Sequence, residues 1–407
     1  MHHSRGDDLE TSGLSPMIDK IVEISAIKIT PGEVSIFNQL VNMWRYAHRK
    51  QGYQEIVTPQ ILDNKIWKIS GHWKLYKENM FLTNYEGRDF GVKPMNCPGS
   101  MLVFKTKTRS YRDLPLRLSE LGKVHRMELS GVLAGLFRVI QFTQDDAHIF
   151  CTKEQLQEEI SNVISLFKKM LDLFEFKYTF TLSTRSEAKK DKYLGDDSLW
   201  QEAESSLASG LKKLKIPFQT MPGEAKFYGP SLDVLIKDSL GREWQCSTLQ
   251  LDFNQPSRFE LEYTGEDNKL HTPVALHRVV YGSLERFIGV LLEHLNGNMP
   301  LWLSPRQVRV INFTDDNKKA CEKFVAHLRK ELPHVRVEED YRTETVQARI
   351  RDAELMKVNY IIVLGEKEEK SKTLAVRPRG KKPQFGIKID KFIKDLKLEL
   401  DEPYKSL

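Results

Sequence analysis

Eleven consecutive residues, Arg138-Val-Ile-Gln-Phe-Thr-Gln-Asp-Asp-Ala-His148, place the tightest limit on how this chain folds. On a β-strand, side chains alternate between faces, so Arg138, Phe142, Gln144, Asp146 and His148 share one face. That face carries a cation, an aromatic platform, an amide, a carboxylate and an imidazole in a row. A solvated outer face of a sheet is the competing reading, but such a face rarely sets a phenylalanine among these groups. The pattern predicts a strand from Phe137 to Phe150 with a binding face, and by the same parity it puts Ile140 on that face.

Around this strand the periodicity predicts an α+β fold with a large antiparallel sheet. Residues 33–51 place Phe37, Leu40, Val41 and Trp44 at helical spacing, with Gly52 as a stop. A short strand, Tyr53 to Thr58, follows and ends at Pro59. Thr152 and Gln155 read as a capping box ahead of a helix carrying Leu156, Ile160, Val163, Ile164, Phe167 and Leu171. Leu232–Ile236 turns at Leu240-Gly241 into a second strand, Trp244–Phe253, and Gly282–Leu295 is apolar on most sides, as a buried helix is. Pro300 to Pro305 marks a boundary, giving domains 1–304 and 305–407. Beyond it, strands at 308–312, 335–339, 360–364 and 373–377 alternate with helices at 318–332, 345–356 and 389–398, a small α/β unit of ordinary domain size.

The 407 residues hold 40% hydrophobic and 29% charged side chains, which suits a globular chain rather than a membrane or disordered one. No apolar run approaches the roughly 18 residues of a membrane span, and the polar segment Met1–Ser15 lacks the apolar centre of a signal peptide. A net charge of +6 leans only mildly toward polyanions. The four cysteines are scattered, so a reducing compartment is expected: the cytoplasm, or an organellar matrix after removal of a transit peptide. There is no glycine-rich phosphate loop. Arg126 and Glu128 follow an apolar segment, and Arg286 sits in the first turn of its helix, where a cation opposes the dipole unless an anion is bound. Spacing alone does not join Cys97, His148 and His277 into a metal site.

Arg126-Met-Glu128, the loop to Arg138, and Gly282-Ser-Leu-Glu-Arg286 resemble motifs 2 and 3 of class II aminoacyl-tRNA synthetases, and the helix at 33–51 with Pro59 resembles motif 1. Lys93-Pro-Met-Asn-Cys-Pro-Gly99, Phe142-Thr-Gln-Asp-Asp-Ala-His148, Phe227-Tyr-Gly-Pro230, Gln250-Leu-Asp-Phe253 and Leu276-His-Arg278 look like threonyl-tRNA synthetases in particular. The resemblance implies a class II catalytic domain followed by an anticodon-binding domain, acting on ATP, L-threonine and tRNA(Thr). It implies one Zn2+ per chain on Cys97, His148 and His277, with threonine held also by Asp146, Tyr228 and Gln144. For ATP with its Mg2+ it implies Arg126 on the α-phosphate, Arg138 on the γ-phosphate, Glu128 on the adenine amino group, Phe142 and Arg286 on the two adenine faces, and Gln245 and Thr248 on the nucleotide. His72 and Gln144 become candidates for the transfer step, Glu368 and Arg377 for reading anticodon bases, and Lys372, Arg379, Lys381 and Lys382 for tRNA phosphates. A homodimer through the motif 1 region is implied too.

Departures from the family pattern mark positions to inspect: Ser100 for histidine, Met127 and Leu129 for Asn and Pro, Ile140 for arginine, Ser231 for lysine, Ser247 for glycine, and Thr343 and Gln347 for Asn and Gly. At Ser247 the added volume is expected to crowd the site. Nothing in these residues matches the family's N-terminal editing domain, so any editing is expected from elsewhere, either a separate protein or a domain outside these residues. A paralogue that activates threonine for another acceptor, or regulates, is the alternative reading.

Overall fold

The computed structural model describes residues 36–407 except 189–192 and 239; Met1–Ser15 and the first residues of the expected helix lie outside them. The main sheet has eight strands. Across it they run Gln54–Glu55, Leu116–His125, Gln141–Cys151, Val274–Ser283, Glu243–Asp252, Ser231–Lys237, Tyr178–Thr184 and Phe218–Pro222. The inner pairs are antiparallel and only the two edge strands pair in parallel. The α+β expectation therefore holds.

Alternation along Gln141–Cys151 divides the molecule. Ala147, Ile149 and Cys151 enter the main core, together with Leu40 and Trp44 of helix Ile36–Lys50, Ile160 and Phe167 of helix Leu156–Asp172, and Phe287 and Leu291 of helix Leu284–His294. Each such large apolar side chain, fully buried, contributes roughly 1.5–3 kcal/mol relative to exposure. The expected reciprocal bonds form, the Thr152 amide donating to Gln155 Oε1 at 3.0 Å and the Gln155 amide to Thr152 Oγ1 at 3.4 Å, but in the turn before the helix, whose own N-cap is Gln155 with no side-chain cap bond. Arg278 also faces the helical side, its guanidinium carbon 4.5 Å from the Tyr53 ring centroid and Nη2 against His48 Nε2. The other face of the sheet is left for the site.

One expectation fails at the start of the central strand. It begins at Gln141, not Phe137, because a turn closed by the Ala134 amide on the Arg138 carbonyl (3.0 Å) precedes it. Ile140 consequently lies outside the strand and is exposed, and Val139 faces the cavity instead.

In the second domain, Val337–Asp340, Val308–Asn312 and Tyr360–Leu364 pair in parallel, and Thr373–Pro378 and Gln384–Lys388 extend the sheet antiparallel. The strand Gln384–Lys388 and the short helix Glu366–Ser371 escape the periodicity reading. The last helix, Ile389–Ser406, outruns its expected end and returns to the first domain: Tyr404 meets Tyr46 edge-on at 5.1 Å and Leu407 is buried in the main core. The linker alternates between cores, Leu301 joining the second and Trp302 and Leu303 the first. Among the described residues no helix is long and apolar enough to cross a membrane.

Candidate active site

Three central strands, the N-terminus of helix Cys97–Lys105, the loop 126–139 and residues 226–228 enclose a cavity of about 330 Å³. Phe142, Gln144, Asp146 and His148 all line it, as strand parity requires, and Arg138 reaches it from the preceding loop.

At the inner end lie Cys97, His148 and His277, all buried, with ligand atoms within 4.8 Å of one another. Cross-strand register explains the two imidazoles: His277 pairs directly with His148, bringing the ring centroids to 4.7 Å. Cys97 arrives on the first turn of its helix, where Pro98 costs no hydrogen bond. His277 Nε2 lies 3.0 Å from Asp252 Oδ2, and Asp252 Oδ1 is itself fixed by the amides of Asn254 (2.7 Å) and Gln255 (2.9 Å). His148 Nδ1 lies 2.9 Å from Ser100 Oγ, while its Nε2 is buried with no hydrogen-bond partner among the described residues. A buried imidazole nitrogen left unpaired is costly unless something binds it. One thiol and two imidazoles, one braced by a carboxylate, form a donor set that suits zinc with a position left for substrate. Burial, with Asp146 and Asp252 nearby, pushes the Cys97 thiol well above its usual range.

Beside this set, Asp146 accepts from Asn96 Nδ2 at 3.1 Å, and burial pushes its carboxyl up to about 6. Gly122 makes room for Asn96: a Cβ there would stand 2.1 Å from Asn96 Oδ1. The Tyr228 hydroxyl donates to Gln250 Oε1 at 2.6 Å, and Gln144 Oε1 is buried without a partner among the described residues. Asn96, Gly122 and Asp252 are contributors that sequence reasoning missed. Asn96 and Asp252 each lay within a quoted motif, but nothing marked their roles, and Gly122 lay in none.

At the outer end three guanidinium groups converge. Arg126 sits over the Phe142 ring at 5.0 Å, Arg138 pairs with Glu128 at 3.0 Å, and Arg286 Nε donates to the Phe137 carbonyl at 2.8 Å. Burial, and then Arg126 and Arg138, hold the Arg286 guanidinium below its usual range. Its helix is set by Asp145, a buried carboxylate accepting from the amides of Val280, Tyr281 and Gly282 at 2.8–3.1 Å; burial outweighs these bonds and raises it to about 7. Gly282 is obligatory here: its φ is +79°, and a Cβ would lie 2.8 Å from the Cys246 carbonyl. Two expected nucleotide contacts, Glu128 and Arg138, thus pair with each other, and Arg126 covers the Phe142 face expected for adenine. A half-exposed pair is worth only about 0–1 kcal/mol, so a triphosphate can displace it.

Gln245 and Thr248 line the cavity, held by Asp233: Thr248 Oγ1 donates to Asp233 Oδ1 at 2.8 Å, and Ser231 Oγ to Oδ2 at 2.9 Å. Ser231 is therefore a donor to a buried carboxylate. Ser247 does not crowd the site as expected. It sits in a β-bulge between Gln245 and Thr248, is not among the lining residues, and donates to the Val280 carbonyl at 2.6 Å.

His72, a candidate for the transfer step, lies behind the cavity wall. It is fully buried and does not line the cavity; Tyr76, Met95 and Phe227 stand in front of it. Its Nδ1 meets Ser70 Oγ at 2.7 Å and its Nε2 meets Met95 Sδ at 3.0 Å. Burial, then the positive fields of His277, Arg126 and Arg258, brings it down to about 4. Its unfolded value is about 6.5. The folded state therefore disfavours the charged form, and the stability this adds is complete above pH 6.5 and lost as pH falls toward 4. His72→Gln should flatten the fall in unfolding free energy between pH 7 and pH 5, measured by denaturant titration; an unchanged pH slope would contradict the assignment.

In the second domain Glu368 Oε2 accepts from the Gly365 amide at 3.2 Å, and Arg377 is half-buried on its strand, opposite Ile361. Thr343, Gln347, Lys381 and Lys382 are exposed. Arg379 is not free for phosphate: it holds the carbonyls of Lys357 (2.9 Å) and Met299 (2.8 Å) at the linker.

Residues 80–295 match the family described as tRNA synthetase class II core domain (G, H, P, S and T), and residues 307–399 match the anticodon binding domain family. The chain is 48% identical over 370 residues to the threonine--tRNA ligase of Caldanaerobacter subterraneus subsp. tengcongensis, covering 91% of itself and 56% of that protein. It is likewise 48% identical over 372 residues to the threonine--tRNA ligase of Carboxydothermus hydrogenoformans, again 91% of itself and 58% of that relative. It thus spans a little over half the length of these relatives. Among solved structures, the RNA binding domain of threonyl-tRNA synthetase from Cryptosporidium parvum Iowa II superimposes with TM-score 0.85 at 36% identity, over 94% of this chain and 97% of that one. The putative threonyl-tRNA synthetase ThrRS-1 from Aeropyrum pernix gives 0.77 at 31%, over 93% and 90%. With both domains matched in order and these identities along nearly its whole length, the chain belongs to the threonyl-tRNA synthetase family of class II aminoacyl-tRNA synthetases.

Proposed function

We propose that the chain activates L-threonine with ATP and Mg2+ and transfers it to the 3′ end of tRNA(Thr), with zinc held by Cys97, His148 and His277. The observation that carries this reading is the joining, in one cavity, of a cysteine–histidine set bearing an unpartnered imidazole nitrogen to three converging arginines. Zinc bound there supplies a Lewis acid for the amino group and hydroxyl of threonine, which valine cannot match. Asp146 and the Tyr228–Gln250 pair orient the amino acid, and Gln144 offers its unpaired oxygen to the substrate or the tRNA terminus. The threonine carboxylate attacks the α-phosphorus, the bond to the bridging oxygen of pyrophosphate breaks, and pyrophosphate leaves. Arg126 neutralises the α-phosphate, Arg138 the departing end, and Arg286 stacks on adenine beside Gln245 and Thr248, so catalysis is mostly positioning and charge stabilisation. Glu368 and Arg377 read the anticodon. We place the protein in the cytoplasm or an organellar matrix, where its four buried free thiols stay reduced. The exposed Val57 beside the edge strand Gln54–Glu55 suits a homodimer contact.

Threonine-dependent ATP–pyrophosphate exchange, abolished by a zinc chelator, is the test. No exchange would remove the activity; exchange without charging of tRNA(Thr) would select an enzyme serving another acceptor. Zinc recognition also admits serine, which keeps the amino group and hydroxyl. The missing methyl is worth about 1–3 kcal/mol, or about 10–200-fold. These 407 residues alone should therefore form seryl-tRNA measurably. Discrimination above roughly 10⁴-fold would refute this.

A further inference from the structure

We propose that Ser100 is a positioning residue for the metal site, fixing which nitrogen of His148 faces the cation. The inference rests on the zinc reading above. Cys97 and Ser100 lie three residues apart, one turn along the helix Cys97–Lys105, so one helical face presents both a ligand and a brace. Ser100 is buried, and its Oγ stands 2.9 Å from His148 Nδ1. With Nδ1–H donating to that oxygen, the unprotonated nitrogen is Nε2, the atom left buried without a partner among the described residues. His277 is braced the other way round, through Nε2 on Asp252, and so turns Nδ1 toward the same centre. The two adjacent rings, inclined at 76°, therefore offer unlike nitrogens to one point.

The braces differ in kind. Asp252 is a buried carboxylate and strengthens His277 as a donor; Ser100 is a neutral hydroxyl whose contribution is orientation and tautomer. Without it His148 turns more freely and shares its proton between both nitrogens. Removing a partner of this type weakens metal binding by roughly 10–100-fold, and a hydroxyl belongs at the lower end.

The test uses the full chain, with zinc dissociation constants measured by competition with a chromophoric chelator. Ser100→Ala should bind zinc about 10-fold more weakly, and Ser100→Thr, which keeps the hydroxyl, within about threefold of the parent. Cobalt substituted for zinc should show shifted visible bands in the alanine variant and parental bands in the threonine variant. Loss of zinc in Cys97→Ser together with a parental constant in Ser100→Ala would overturn the role of Ser100 alone. Parental zinc binding in Cys97→Ser would overturn the zinc reading itself, and this inference with it.

Discussion

Serine in place of Cys97 should strip the protein of zinc and raise its KM for threonine at least about 100-fold, while the KM for ATP moves little. Loss of an outer brace alone costs a metal site about 10–100-fold, so loss of a direct ligand costs more. The hydroxyl is a poor substitute, because zinc binds thiolate and a serine stays protonated at neutral pH. The cavity explains why the effect should be selective. Cys97 lies at the inner end beside Asp146 and Tyr228, whereas Arg126, Arg138 and Arg286 form the outer end and touch none of the three ligands in the contacts described above. The folded state should survive, since Cys97 and Ser differ by one atom at the first turn of a helix held elsewhere by Met101 and Phe104 in an apolar cluster. Zinc content and exchange kinetics on the same preparation decide the matter. One zinc per chain with an unchanged threonine KM would remove Cys97 from the ligand set.

How legible this site was depends on what kind of geometry placed each residue. Phe142, Gln144, Asp146 and His148 were readable because alternation on a strand is local, needing only the chain itself. The same rule failed at Ile140 because a turn closed by the Ala134–Arg138 backbone bond delays the strand to Gln141. The crowding expected from serine in place of the family's glycine at 247 failed for another reason: one extra residue bulges the strand between Gln245 and Thr248, opposite Leu235 and Asp233, and no periodicity announces a bulge. Cys97 and His277 were invisible to spacing, since a helix end and a strand register bring them to His148 from distant parts of the chain; the family resemblance alone joined them. Asn96, Gly122 and Asp252 act through contacts that exist only in the folded molecule. His72 was singled out by the family resemblance alone, and the fold sets it in a buried layer against Phe227. The second domain was legible where strand and helix alternate, and illegible at Gln384–Lys388, whose side chains are mostly exposed and carry no apolar pattern.

Arg286→Ala should lower kcat/KM for ATP–pyrophosphate exchange by at least about 30-fold, since a desolvated guanidinium stacked on an aromatic base is worth about 2 kcal/mol or more. Stability should change by no more than about 1 kcal/mol, because two opposing terms meet at this residue. The bond from Nε to the Phe137 carbonyl is lost, which destabilises. In return a largely buried cation is removed from the fields of Arg126 and Arg138, which depress its proton affinity in the free protein. It also stands in the first turn of the helix Leu284–His294, where a positive charge is unfavourable. Each of these penalties reverses once a polyphosphate lies among the three guanidinium groups, so the residue costs the resting protein what it returns to the reacting complex. Arg286→Lys separates charge from shape. Lysine keeps the cation but loses the planar group that stacks on an aromatic base, so it should recover less than a tenth of the lost activity. Full recovery by lysine would show that Arg286 acts through charge alone and that adenine is held by other residues. A fall in activity matched by a fall of several kcal/mol in unfolding free energy would show that it serves the fold instead.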